Sequence, residues 1–127
     1  MAKFLIKGIW FPNELYFSPS YQELTLSGRN LFWFLLNELR WRGKGRNRVY
    51  INNGEVKLNS ESFLNIFHYT KATLLKARNQ LIEVGLIKIT YQGGSFRGDS
   101  NMYQLQHDMP HPRWKNYPSK NWKDEIP

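Results

Sequence analysis

The segment from residue 71 to residue 79 carries side chains that suit recognition of duplex DNA. Six of its residues are candidates for contact: Lys71, Ala72, Thr73, Leu75, Lys76 and Asn79. Lysine donates hydrogen bonds to guanine, asparagine pairs with adenine, and small apolar groups meet the methyl group of thymine. We therefore interpret Lys76 and Asn79 as base-reading residues and Ala72 or Leu75 as a thymine contact. The alternative for Lys76 and Asn79 is an ordinary solvated helix face.

Lys71 and Thr73 have a different expected role, because they lie at the start of the same segment. If the segment is helical, these two residues flank its N-terminus, where exposed amide groups and the positive end of the helix dipole favour a phosphate. We expect both residues to contact the sugar-phosphate backbone.

A second group of basic residues lies outside this segment. The run RWRGKGRNR, residues 40–48, holds five basic residues and two glycines, a composition typical of a cationic loop. Four basic residues are expected to contact phosphates: Arg42, Lys44 and Arg46 in this loop, and Arg97 in a later glycine-rich stretch. Phosphate contacts position a protein without reading sequence. The alternative interpretation, which the composition fits equally well, is that the loop is a solvated connector.

Catalytic and metal-binding patterns are weak in this chain. His107, Asp108 and His111 could suggest a metal site, but Pro110 and Pro112 prevent a regular helix there and no convincing fourth ligand is spaced nearby. The ten carboxylates form no recognisable two-metal or acid–base pattern, and no Walker-type phosphate loop is present. We expect a protein that is not an enzyme and uses neither a metal nor another cofactor.

Composition agrees with a nucleic-acid partner without requiring one. Eighteen Lys and Arg against ten Asp and Glu give a formal charge of +8, which favours polyanions, although solvated lysines would give the same total.

The absence of cysteine excludes disulfides and fits a reducing cytoplasm. The apolar stretch at residues 4–11 is interrupted by Lys7 and is too short to cross a membrane. We expect a cytoplasmic protein with no membrane partner.

The first half of the chain predicts a helical core. The residues up to Phe17 are expected to form an irregular or short extended lead-in, and Ser18 with Pro19 predicts the start of a brief helical turn. Ser27 is expected to cap the first long helix, with Leu26 and Leu31 forming a hydrophobic staple across its start. The buried face of this helix recurs at three- and four-residue spacing: Leu31, Phe34, Leu35 and Leu39.

Residues 49–58 predict one short strand or a small hairpin, because Asn53-Gly54 is a dipeptide suited to a tight turn with positive φ. Asn59 is expected to cap the next helix, whose buried face comprises Phe63, Ile66 and Phe67. His68, Tyr69 and Thr70 then interrupt that helix.

The longest periodic pattern follows this interruption. Thr70 is expected to cap a helix from Lys71 to about Val84, and Gly85 to end it. Its core face comprises Leu74, Ala77 and Leu81, and a rotation of 100° per residue places the opposite side at Ala72, Lys76, Asn79 and Glu83. Residues 86–91 and 102–105 predict a returning β-hairpin around a glycine-rich tip. The order of elements indicates a mainly α fold with a small antiparallel sheet, an α+β winged helix-turn-helix.

Three stretches also carry a family resemblance: LTLSGRNLFWFLL, NNGEVKLNSESFLNIFHYTKATLLKARNQLIEVGLIKI and GGSFRGDSNMYQL. They resemble helix-turn-helix proteins of bacterial phages and mobile elements, over roughly residues 12 to 106. The resemblance implies a recognition helix at residues 70–85, a wing at the glycine-rich segment, and double-stranded DNA binding in replication initiation or transcription regulation. The chain departs from the pattern at His68, where the family usually has a glycine with positive φ.

The predicted organisation is one DNA-binding domain at residues 1–106 followed by a tail at residues 107–127. The tail combines prolines and lysines with Trp114, Tyr117 and Trp122. Three large aromatics within about nine residues favour wrapping onto the domain or binding a partner over disorder. The alternative function is therefore a winged-helix protein–protein interaction module that uses the aromatic tail to bind another protein or a second copy of the chain.

Overall fold

The computed structural model describes residues 11–43, 49–94 and 100–107 of the chain. Within these ranges the fold is mixed α+β, with five helices and two small antiparallel sheets. The helices are α1 (Asn13–Tyr16), α2 (Pro19–Gln22), α3 (Leu26–Leu36), α4 (Ser60–Phe67) and α5 (Lys71–Glu83). The strands are β1 (Trp41–Arg42), β2 (Val49–Tyr50), β3 (Val56–Lys57), β4 (Ile87–Tyr91) and β5 (Met102–Leu105).

Side-chain caps start four of these helices, and three of the four were predicted from the sequence. The Ser18 hydroxyl accepts from the Tyr21 amide at 3.3 Å, and the Thr70 hydroxyl accepts from the Thr73 amide at 3.3 Å. The Asn59 side chain accepts from the Ser62 amide at 3.1 Å. Each bond satisfies an amide that has no partner inside its helix. The predicted caps at Ser18, Asn59 and Thr70 are therefore confirmed.

The predicted start of α3 was wrong. The cap is Thr25, whose hydroxyl accepts from the Gly28 amide at 3.1 Å, and Ser27 lies inside the first turn. The staple expected between Leu26 and Leu31 is also absent, because Leu26 is 71% exposed. Gln80 of α5 explains the earlier start, since its side-chain oxygen accepts from the Thr25 amide at 3.1 Å.

The lead-in also differs from its prediction. Residues 1–10 lie outside the described ranges, but α1 is a single helical turn where an irregular or extended segment was expected. The Pro12 carbonyl starts this turn by accepting from the amides of Leu15 and Tyr16. Phe11 packs before it, with its ring stacked 4.8 Å from that of Trp33.

The segment at residues 49–58 forms two strands that belong to different sheets. β2 pairs with β1, whereas β3 pairs with β5 in a three-stranded sheet of order β3-β5-β4. Gly54 has the predicted positive φ, 106°, but the turn it forms does not make β2 and β3 a hairpin. Asn53 supplies the reason, because its side chain bonds both the N–H and the C=O of Leu105, at 2.8 and 2.9 Å, and so directs the chain toward β5.

The buried core is built around α3, as its wide apolar surface predicts. Leu31 and Leu35 are buried on α3, and Phe34 is half-buried against the same core. Leu39 is also buried, but it lies beyond the end of α3 at Leu36 and not on the helix as predicted. On α5 the predicted core residues are likewise buried: Leu74, Ala77 and Leu81.

The predicted core face of α4 is only partly right. Phe63 is fully buried and Phe67 packs partly against the core, but Ile66 is 58% exposed. Phe63 and Phe67 are one helical turn apart, and each makes an edge-to-face contact with Phe34 of α3. These rings place the side of α4 that carries Phe63 and Phe67 against the core. Ile66 therefore lies on the exposed side of the helix.

The turn between α4 and α5 is closed by His68. This residue has left-handed backbone angles, φ 59° and ψ 41°, and its N–H and that of Tyr69 both donate to the Leu64 carbonyl. This is a common way to end a helix, although glycine usually occupies the position. The positive φ expected at His68 is confirmed.

Replacing His68 with glycine is expected to raise the free energy of unfolding by about 0.5–1 kcal/mol. Left-handed backbone costs an L-residue about 1–2 kcal/mol, and the greater freedom of glycine in the unfolded chain offsets part of that gain. His68→Val is the matched control and should lower stability, because a β-branched side chain tolerates this region worst. Urea unfolding midpoints check the order, and a glycine variant no more stable than the valine variant would contradict it.

The β4–β5 hairpin follows α5 directly. Gly85 has φ 85° and ends the helix as predicted, and the Leu86 amide donates back to Leu81. Ile87 pairs with Leu105 at the base of the hairpin, and the Asn101 side chain accepts from the Gly93 amide at 2.8 Å near its other end. The two predicted strands of the hairpin are thus present, while residues 95–99, with Arg97 at the expected tip, lie outside the described ranges.

Candidate nucleic-acid interface

The outer face of α5 is the surface that the helical rotation predicted. Ala72, Lys76, Asn79 and Glu83 are all exposed, on the side opposite to the buried residues of the helix. Leu75 borders this face and is 40% exposed. The structure therefore brings the predicted base-reading residues together on one accessible stripe, which we call the outer stripe of α5.

The start of α5 presents Lys71 and Thr73. Lys71 is the first helical residue and is exposed, whereas Thr73 is half-buried. The hydroxyls of Thr73 and Thr70 lie 3.1 Å apart, and the Thr73 amide is bonded to the same Thr70 hydroxyl. The exposed Lys71 is thus accessible to a phosphate, whereas the amide and hydroxyl of Thr73 already contact the Thr70 hydroxyl that caps α5.

One flank of α5 faces the start of α3 across an open cleft of about 760 Å³. We call it the α3–α5 cleft; its lining includes Thr25, Ser27, Thr73, Lys76, Asn79 and Glu83. Most of the lining side chains are polar, and Ile82 adds an apolar one. Lys76 is the cationic residue among those that line it.

Gln80 fixes the position of α5 against α3 at the floor of this cleft. Its side-chain oxygen accepts from the amide and the hydroxyl of Thr25, at 3.1 and 3.2 Å, and its amide nitrogen donates to the Glu23 carbonyl at 3.4 Å. The helices approach so closely that a Cβ on Gly28 would lie 2.5 Å from the Gln80 oxygen. Gln80 was not among the predicted residues, because its partners are 55 residues or more distant in sequence.

The other flank of α5 faces the start of β5 across a narrower groove of about 220 Å³. We call it the α5–β5 groove; its lining includes Ser60, Lys71, Leu75, Arg78, Asn101 and Tyr103. Arg78 was also missed by the prediction, although one signal was available. Lys71 and Arg78 are seven residues apart, which is almost two full helical turns, so the two cations lie on the same side of α5.

The other predicted phosphate contacts are not gathered at α5. Arg42 is exposed on β1, in the two-stranded sheet, and lines neither groove. Lys44, Arg46 and Arg97 lie outside the described residues, so their contact with phosphate stays a prediction.

His107 is part of the buried core. It is fully buried, and its Nε2 lies 3.0 Å from the Tyr50 hydroxyl, with the ring edge-on to Phe32. The chain therefore continues into the core one residue past the predicted domain end, while Asp108 and His111 fall outside the described ranges. Residues 11–43, 49–94 and 100–107 contain no cluster of three or more His, Cys, Asp or Glu that could hold a metal ion.

The described residues include no helix that is both long and apolar enough to cross a membrane. Comparison of the chain with protein-family models, with curated protein sequences and with solved structures found no match.

Proposed function

We propose that this protein is a non-catalytic, double-stranded DNA-binding protein whose α4–turn–α5 unit and β4–β5 hairpin form a winged helix-turn-helix. In such a fold the second helix of the unit enters the major groove and the hairpin lies beside it as the wing. The proposal assigns α5 as the recognition helix. The three-residue turn at residues 68–70, the capped start of α5 and the hairpin directly after it support this assignment.

The observation that carries the proposal is the outer stripe of α5. Lys76 and Asn79 are exposed one helical turn apart, and Ala72 precedes Lys76 by another turn. The helix is about 10–12 Å across with its side chains, which matches a major groove about 12 Å wide. A helix docked in this way would direct Lys76 and Asn79 to base edges and leave its two flanks beside the two sugar-phosphate backbones.

The proposed contacts divide into two kinds. Lys76 donates to guanine, Asn79 pairs with adenine, and Ala72 or Leu75 meets a thymine methyl group, so these residues set the sequence preference. The predicted basic residues contact phosphates and set the affinity: Lys71, Arg42, Lys44, Arg46 and Arg97. The formal charge of +8 favours association with a polyanion from any direction.

The biological setting follows from the resemblance to helix-turn-helix proteins of phages and mobile elements. A replication initiator would recruit helicase-loading factors to an origin, and a regulator would occlude or activate a promoter. We propose one of these two roles, and the DNA contacts described above serve both.

A protein-docking module is the second candidate, supported by one exposed aromatic pair. The rings of Tyr16 and Phe17 lie edge to face with centroids 5.0 Å apart, and the two residues are 45% and 54% exposed. Exposed aromatics anchor many protein interfaces. A partner bound there would leave the outer stripe of α5 accessible, so Phe17→Ala would weaken protein binding and spare DNA binding.

Replacing Lys76 with alanine is the test of the recognition assignment. Loss of a base contact is expected to cost about 1–3 kcal/mol of binding free energy and to relax preference at one position of the site. Selection from a random duplex library at physiological salt measures the preference, and fluorescence anisotropy on the selected duplex measures the affinity.

Lys57→Ala is the matched control, because Lys57 is also exposed but lies on β3, outside the α4–turn–α5 unit and the β4–β5 hairpin. This control variant should select the wild-type motif. Unchanged affinity and unchanged selected sequences for Lys76→Ala would remove Lys76 from the recognition surface.

A further inference from the structure

The side of α5 that faces β5 differs from the outer stripe in its chemistry. If the outer stripe is taken as the reference direction, Lys71 and Arg78 lie roughly 110° to one side and Thr73 and Gln80 roughly 90° to the other, at 100° per residue. The flank toward β5 thus carries two cations, whereas Thr73 and Gln80 on the flank toward α3 are uncharged. A helix lying in the major groove has one DNA strand on each side, so these flanks would meet different strands.

Arg78 is half-buried and has few hydrogen-bond partners among the described residues. Its Nε is buried and has no hydrogen-bond partner, and within the described residues its guanidinium donates one bond, from Nη2 to the Asn79 side chain at 3.3 Å. A guanidinium has five N–H donors arranged in a planar fork that matches two oxygens of a phosphate. A buried donor without an acceptor is unfavourable, and a phosphate oxygen in the groove would provide that acceptor.

The remaining lining of the α5–β5 groove suits the same ligand. Ser60, Ser100 and Asn101 add hydroxyl and amide groups, and the groove contains no acidic side chain among the residues that line it. Asn101 is itself positioned by its bond to the Gly93 amide. The apolar part of the wall, which reduces competition from water, comprises Leu58, Leu74, Leu75 and Tyr103.

We propose that the α5–β5 groove is a phosphate subsite, in which Arg78 holds one phosphodiester group of a DNA strand and Lys71 holds a neighbouring one. Lys71 and Arg78 are about 10 Å apart along the helix axis, too far to share a single phosphate. The inference rests on the proposed DNA-binding function. It adds Arg78 to the proposed contacts, as a phosphate contact that does not read the base sequence. The role of this contact is to fix the rotation of α5 about its own axis, and therefore which base edges Lys76 and Asn79 meet.

The test compares Arg78→Gln, Lys71→Gln and the charge-matched control Lys57→Gln in the full chain, since Lys57 is exposed on β3 and lines neither groove. Each of the first two should reduce the salt dependence of duplex binding by about 0.9 in the slope of log affinity against log salt. That corresponds to about fivefold weaker binding at 0.15 M salt. The loss should be equal on selected and random duplexes, which separates a phosphate contact from a base contact. Lys57→Gln should behave as the wild type.

Folding is controlled in two ways. Lys71 is exposed, so Lys71→Gln removes no core packing, and Arg78→Lys keeps the apolar stem and the charge while it removes the planar fork. Arg78→Lys should retain the wild-type slope with weaker affinity. Wild-type affinity and slope in both Arg78→Gln and Lys71→Gln would overturn the subsite while leaving the DNA-binding proposal intact.

Failure of the proposed function gives a distinct result, because the wild type would then bind no duplex even at low salt. In that case the subsite is tested with inorganic phosphate, followed by NMR on the Arg78 Nε–H signal. A saturable shift of this signal that Lys57→Gln leaves unchanged supports an anion subsite for free phosphate and overturns the phosphodiester assignment. The absence of any shift overturns the subsite altogether.

Discussion

Replacing Phe63 with alanine is expected to lower the free energy of unfolding by about 3–5 kcal/mol, the usual cost of removing a fully buried phenylalanine. Phe63 is the completely buried residue of α4, and its ring centroid lies 5.2 Å from Phe34, 5.0 Å from Phe67 and 5.7 Å from Tyr69. Removal of the ring leaves a cavity between α3 and α4 and eliminates three aromatic contacts. Because α4 is only eight residues long, it has little other buried surface with which to compensate.

Chemical denaturation of wild type and variant measures this effect as a shift of the unfolding midpoint. Ile66→Ala is the matched control, since Ile66 lies on the same helix and is 58% exposed. The control is expected to change stability by no more than about 0.5 kcal/mol. Equal destabilisation by the two substitutions would mean that α4 does not pack through Phe63, and the position of α5 beside it would then need another explanation.

Features determined by nearby residues could be predicted from the sequence. The caps at Asn59 and Thr70 each bond an amide three residues ahead, and Gly85 ends α5 because it adopts a positive φ. The outer stripe of α5 follows from helical rotation once the core residues are known. These interactions lie within a few residues of one another, so the local sequence contains all the information that they require.

Features determined by distant residues could not be predicted in this way. Thr25 rather than Ser27 starts α3 because of Gln80, 55 residues away. Asn53 directs the chain toward β5 through Leu105, 52 residues away. Local propensity treats Thr25 and Ser27 as nearly equal caps, and only the tertiary partner distinguishes them.

The candidate site shows the same division. Lys76 and Asn79 were predicted because they lie opposite the core face of a single helix. Arg78 was missed because the groove that it lines is completed by Asn101 and Tyr103, which are distant from it in sequence. The contacts proposed for the basic loop and for Arg97 depend on residues outside the described ranges and stay predictions.

Salt is expected to weaken duplex binding by about 250- to 1,000-fold between 0.05 and 0.2 M. Each phosphate that a protein neutralises releases counterions and contributes about −0.9 to the slope of log affinity against log salt, so about five contacts give a slope of −4 to −5. The excess of basic over acidic residues supplies enough cations for this number. Single-stranded DNA of the same length is the control and should give a shallower slope, because fewer counterions are condensed on it.

The most direct measurement of the central claim is a titration of the wild-type chain with duplex DNA at several salt concentrations, read by fluorescence anisotropy. Circular dichroism at each concentration confirms that the protein stays folded. Duplex DNA binding by this protein predicts saturable binding with a slope between −4 and −5. A flat response to salt, or no binding at 0.05 M salt, would contradict it.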